Sequence, residues 1–169
     1  SSSIERPVKI VSNLSLNSRL VRSVGLFENS GPIPPKADNP TTYTAIWTLS
    51  NSLNDVADVK VAATLPSYIS WTELSTPSSE KITFDSITRE VLWNVGEVKA
   101  GTATREVSFQ ISFLPSLSQI GTVPTLVSTA RVTGTDKFAN QSLDFSRPAL
   151  TTRFSADPAF VEGQEVVVK

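Results

Sequence analysis

From Arg105 to Leu114 the apolar residues Val107, Phe109, Ile111 and Phe113 alternate with Glu106, Ser108, Gln110 and Ser112. A period of two places the two sets on opposite sides of an extended chain, so the stretch reads as a half-buried strand. The same period recurs at Tyr43, Ala45, Trp47 and Leu49, with Thr42, Thr44 and Thr48 on the other side, and again at Val59, Val61, Ala63 and Leu65. Ile82 and Phe84, then Val91, Trp93 and Val95, flank the polar run Asp85-Ser86-Ile87-Thr88-Arg89 and read as a hairpin. Further strands are expected at Val8 to Leu16, Leu20 to Phe27, Leu126 to Thr133, Gln141 to Phe145 and Ala149 to Phe154. No segment carries a 3.6-residue period. Breakers separate the runs at Gly31 to Pro35, Leu65-Pro66-Ser67, Gly96 to Gly101 and Gly121 to Pro124. Many short strands with turn signals between them predict an all-β, antiparallel two-sheet sandwich of about 7–9 strands.

A chain of 169 residues is long enough to bury such a core without covalent staples. Only 18% of residues are charged, and Ser and Thr together reach about a quarter, a mix that suits strands and solvated loops. The net charge of -1 supplies no field for nucleic acid. His and Cys are both absent, which removes imidazole and thiolate ligands and leaves all-oxygen sites as the only metal chemistry available. The sequence has no apolar run of the roughly 18 residues a membrane-spanning helix needs, so no membrane contact is expected within it. Residues 31–156 are read as the sandwich, residues 1–30 as N-terminal strands or an arm packing on it, and residues 157–169 as a tail or edge strand.

Three runs carry a resemblance. Thr42-Tyr43-Thr44-Ala45-Ile46-Trp47-Thr48-Leu49-Ser50-Asn51, Val59-Lys60-Val61-Ala62-Ala63-Thr64-Leu65-Pro66 and Trp93-Asn94-Val95-Gly96-Glu97-Val98-Lys99-Ala100-Gly101 occur in that order. Between about Pro35 and Phe113 the chain resembles the DUF11 family, immunoglobulin-like repeats of bacterial and archaeal surface proteins. It departs from the family where Asn51-Ser52-Leu53-Asn54-Asp55 replaces an Asn-x-Gly turn. The flanks Gly31 to Lys36, Leu114 to Gly121 and Asp157 to Val161 look like proteins of candidate-phylum, Patescibacteria-type bacteria. The resemblance implies an immunoglobulin-like fold and an extracellular, cell-surface location, with an N-terminal membrane helix that is absent from this chain.

The chemistry-bearing residues are few. Triads, Cys-His dyads, a Gly-x-Ser-x-Gly elbow and a phosphate loop are all missing, so no catalytic residue is assigned and no cofactor is expected. Glu73, Glu80 and Asp85 would be the carboxylates of a hydrolase if folding gathered them. Trp47 and Trp93 are in phase with strand cores. Tyr68 and Trp71 follow the Leu65-Pro66 break and are the candidates for a glycan-stacking surface. Asn54, Asp55 and Asp58 supply oxygen donors for a Ca²⁺ site, but the spacing matches no EF-hand and turn formation is the better explanation, so no metal site is assigned. Lys60, as a cross-linking lysine, alternates outward. Asn13-Leu14-Ser15 and Asn140-Gln141-Ser142 are formal glycosylation triplets. The expectation is a non-enzymatic structural, spacer or protein-interaction module of the envelope, with carbohydrate binding as the alternative and a carboxylate hydrolase behind it. Its partners would be other envelope proteins or surface glycans.

Overall fold

A computed structural model describes residues 13–51, 53–101 and 103–169. Its strands are β1 (Leu14–Val21), β2 (Thr41–Asn51), β3 (Val56–Thr64), β4 (Ile69–Thr76), β5 (Lys81–Asp85), β6 (Glu90–Val98), β7 (Arg105–Phe113), β8 (Thr125–Val127), β9 (Ala130–Asp136), β10 (Gln141–Arg147) and β11 (Leu150–Thr151). Four form one sheet in the order β1-β2-β7-β4, and five form the other in the order β10-β9-β3-β6-β5. All the pairings between named strands are antiparallel. The short strands β8 and β11 pair as a side ladder, which lifts the strand number above the expected seven to nine. This is the antiparallel β-sandwich that the alternation predicts, and it is immunoglobulin-like, as the resemblance implies.

The inner faces meet as the period of two requires. Tyr43, Ala45, Trp47 and Leu49 of β2 and Val107, Phe109, Ile111 and Phe113 of β7 are all buried. They face Val59, Val61 and Ala63 of β3 and Val91, Trp93 and Val95 of β6 across the sandwich. Trp47 packs edge-on against Phe109 with ring centres 5.0 Å apart, an arrangement that aromatic quadrupoles favour. Its indole N–H donates to Ser18 Oγ at 3.1 Å, so burial leaves no orphan donor there.

Three expected strands differ. Leu20 and Val21 end β1, and the stretch to Phe27 is a loop folded back over the outer face of the four-stranded sheet. There Asn29 donates to Thr44 Oγ1 at 3.0 Å, and Gln110 donates to the Glu28 carbonyl at 2.9 Å. Thr44 is therefore buried although it faces away from the core. Gly31 turns the chain back at φ +97°, and a Cβ there would meet the Pro40 carbonyl oxygen at 2.2 Å, so only glycine fits. The 126–133 run splits into β8 and β9 because Ser128 bonds the end of β3 through both its backbone N–H and its side chain. Of the 8–16 strand, Leu14 to Leu16 are seen in β1, and Val8 to Ser12 lie outside the described residues.

β4 was not expected, and its register explains why. Trp71 opposes Ile111 and Ser75 opposes Phe109, so the chain bulges between them, with Glu73 at φ +69°. A bulge destroys the period that a sequence reading depends on.

Strand directions define two ends. Leu14, Asn51, Val98, Arg105 and Asp136 lie at one, while Val21, Thr41, Ile69, Phe113 and Arg147 lie at the other. The segment expected as a tail is packed at the Val21 end. Val168 donates to the Pro35 carbonyl at 2.9 Å and accepts from Ala37, while Gly121 donates to the Val167 carbonyl at 2.8 Å. Val167 is buried.

Truncating Trp47 to Ala should lower the urea-unfolding free energy by about 3–5 kcal/mol, the range for removing a large buried aromatic side chain. Ile87→Ser, at a residue 91% exposed, should change it by about 0.5 kcal/mol or less. Equal effects at the two positions would contradict the core described.

Candidate functional site

Of the three carboxylates that a hydrolase would need, Asp85 and Glu80 are taken up by structural hydrogen bonds. Glu73 is exposed on the β4 bulge. Asp85 caps the hairpin turn by accepting from the backbone N–H of Ile87 at 2.8 Å and of Thr88 at 3.1 Å. Those bonds, Thr88's first, hold its carboxyl below the ordinary aspartate value. Glu80 is enclosed, its side chain only 10% exposed. The Trp93 indole N–H donates to Oε2 at 2.9 Å, and Arg105 grips both oxygens with its guanidinium at 2.7–2.9 Å. Arg105 also donates to the Glu97 carbonyl at 3.2 Å, joining β7 to β6 across the sandwich. Every oxygen a reaction would use on Glu80 is already occupied.

Tyr68 and Trp71 are half-buried and turned toward the core. Tyr68 donates to the Thr125 carbonyl at 2.6 Å and leans on Phe113. The Trp71 ring stacks on Phe84 at 5.7 Å with 15° between planes, and tilts against Phe109 at 5.4 Å. β4 and β5 are the edge strands on this side of the two sheets, so the Trp71–Phe84 stack closes the gap between them.

The Asn54-Asp55-Asp58 loop is a hydrogen-bonded corner at the Leu14 end. Asp55 accepts from the Ala100 N–H at 2.8 Å, and Asn54 donates to Asp136 at 3.2 Å. Fully buried Asp136 also accepts from the Ala139 N–H at 2.7 Å. Asp58 stands apart, exposed on the β3 bulge at φ +54°. Among the described residues no group of three or more His, Cys, Asp or Glu side chains is placed to hold a metal ion. An open hollow of about 480 Å³ lies here between Leu53, Asn54, Asp55, Ala100, Lys137 and Phe138, with Phe138 67% exposed. Lys60 is exposed on β3 opposite Asn94 and Thr133, and Asn13 and Asn140 are exposed.

A second carboxylate with four hydrogen bonds is one to which the sequence reading gave no role. Asp157 is 3% exposed. Its Oδ2 accepts from the backbone N–H of Arg22 and of Ser23, each at 2.6 Å. Its Oδ1 accepts from the Ser23 hydroxyl and from the Ala159 N–H, the latter at 2.8 Å. Burial alone would raise this carboxyl's pKa. The hydrogen bonds from Ser23, Ala159 and Arg22 outweigh it and leave the pKa lowered. The signal available in the sequence was Asp157-Pro158, an Asp poised to bond the backbone two residues on.

The fold and these sites together describe a β-sandwich whose charged groups tie strands and loops together. The comparisons with known proteins bear on that fold alone. An aspartate-to-alanine variant of BcpA, the major pilin subunit of Bacillus cereus, superposes with TM-score 0.52 at 12% identity, over 82% of this chain and 40% of that one. BcpA itself gives 0.50 at 13% identity, over 82% and 39%. The full-length major pilin SpaD of Corynebacterium diphtheriae gives 0.48 at 8%, over 82% and 35%. The chain thus spans about two fifths of the BcpA structures it matches. No protein-family model matches the sequence, and no curated protein matches it. Among the described residues no helix is long and apolar enough to cross a membrane.

Asp85, Asp144, Asp157 and Glu162 all have lowered carboxyl pKa values, Asp144 through Arg131 and Glu162 through Arg153. A carboxyl depressed in the folded state adds stability that is fully present above its unfolded pKa, about 4, and is lost as pH falls through the lower folded value. With no His in the chain, the urea midpoint should stay flat from pH 8 to 5 and drop below about pH 4. Asp157→Asn should flatten part of that drop; a midpoint that falls between pH 7 and 5 would contradict the assignment. Glu80→Gln should cost about 1–3 kcal/mol by leaving the half-buried Arg105 charge poorly paired, measured by the same unfolding curves.

Proposed function

We propose that the chain is a non-enzymatic structural module of an extracellular, cell-envelope protein, a spacer that can also present its loops to other proteins. The observation that carries the reading is the placement of its two ends. β1 enters the sandwich at the Leu14 end, and Val167 and Val168 leave it at the Val21 end. A module threaded in this way sets its neighbours at opposite poles and adds its own length to the parent molecule. The polar side chains described above support the same reading, since they join strands and loops. The shared fold of the BcpA pilin subunits supports a surface role, and the DUF11-like runs support an envelope protein anchored by a membrane helix preceding the module. Tyr68 and Trp71 favour closure of the core over stacking on sugar, because their rings already pack on Phe113, Phe84 and Phe109.

Antibodies raised against the folded module should label intact cells of its source, and external protease should remove the label. Labelling that appears only after lysis would overturn the extracellular reading. Saturable co-sedimentation with purified envelope glycan, lost in Trp71→Ala but kept in Ile87→Ser, would move the function to carbohydrate binding.

A further inference from the structure

The last thirteen residues and the turn after β1 are far apart in sequence and locked together in space. Asp157 receives the N–H groups of Arg22 and Ser23, residues 135 and 134 positions away along the chain. All four bonds to its carboxylate are directional and part-buried around a buried acceptor, and charge-assisted bonds of this kind are the stronger ones. The locking segment is itself packed. Phe154 meets Tyr43 and Phe160 edge-on, and Arg153 lies over the Phe160 ring.

We infer that Asp157 is a tension latch, which lets load applied between the two ends pass along β1 and across the Asp157 bonds while the rest of the sandwich stays unloaded. The shortest mechanical path between the ends runs from Leu14 along β1 to Ser23, across the carboxylate to Asp157, and out through the C-terminal segment. Everything from 24 to 156 lies in a loop that the latch closes. β1 pairs with β2 at every position from Leu14 to Val21, so once the latch opens, the load shears that ladder as a unit instead of opening it bond by bond. A second set of bonds lies further out, where Val167 and Val168 are held by Pro35, Ala37, Gly121 and Thr122. This outer set loads first and peels, and Asp157 is where the peeling stops. The inference rests on the spacer reading for its biological use, since only a module strung between an anchor and a load needs such a path.

The absence of native cysteine allows handles to be placed at will. Asn13→Cys with Lys169→Cys gives an end-to-end pull in an optical trap. Thr83→Cys with Ser142→Cys, on the outermost strands β5 and β10, gives a transverse pull that avoids the latch. In the end-to-end geometry the native module should pause after releasing residues 158–168, a gain of up to about 40 Å at full extension, before the sandwich opens. Asp157→Asn should abolish the pause and raise the rupture rate at fixed load on the order of tenfold, the scale set by losing a charge-assisted bond. The transverse pull should be unchanged. Ser23→Ala, which removes one donor, should give an intermediate effect and serves if Asp157→Asn fails to fold. Equal weakening in both geometries, or none end to end, would overturn the latch. Surface labelling is an independent readout. A working latch in a protein found inside the cell would leave the mechanics and remove the spacer reading, and a failed latch on a surface-labelled protein would do the reverse.

Discussion

Trp93 is buried on the inner face of β6, and its indole N–H needs an acceptor in a place where water cannot serve. Glu80 supplies it, and a carboxylate in that position must in turn be neutralised, which Arg105 does from the start of β7. One aromatic side chain placed for its apolar area thus brings in an acid from the β4–β5 connection and a base from the opposite sheet. Trp47 meets the same requirement with a neutral partner, Ser18 of β1. The two indoles therefore do more than fill volume. One ties β1 to β2, and the other ties the two sheets together along the side where β4 and β5 leave them open.

The two edges of that open side show how the chain manages exposed strands. β4 is interrupted by its bulge at Glu73, which breaks the row of unpaired backbone groups that a flat edge would offer to another chain. The Trp71–Phe84 stack then covers the interior behind the edge. At the other side β1 is a full-length edge strand, and the chain beyond it folds back over the outer face of its own sheet. Asn29 and Gln110 tie that loop to β2 and β7.

What the sequence revealed and what it hid divide along the same physical line. Wherever a strand stays in phase along a buried face, as in β2, β6, β7 and β3 beyond its bulge at Asp58, alternation is enforced by burial and can be read directly. Trp47 and Trp93 were placed in the core for that reason. β4 escaped because a bulge changes the phase, and in the 20–27 run the alternation does not reflect burial, since Val24 and Leu26 stand 43% and 73% exposed in the loop. Glu80 and Asp157 were harder still. Glu80 was named as a carboxylate that a reaction might use, but nothing local says that Arg105, on another strand, will occupy it. Asp157 binds residues more than a hundred positions away, and only the folded chain brings them together.

That same long range gives the C-terminal segment its place in the molecule. Residues 157–169 hold no long strand and bury few apolar side chains beyond Val167 and part of Phe160, so on local grounds they would fray. They stay because a carboxylate with four donors fixes one end and a pair of backbone ladders fixes the other. Directional bonds of that kind resist displacement without needing a large contact area, and hydrophobic burial alone would let such a short segment slide. The segment that joins the last residues to the first strand is thus the part of the fold where geometry, more than buried area, decides how the chain holds.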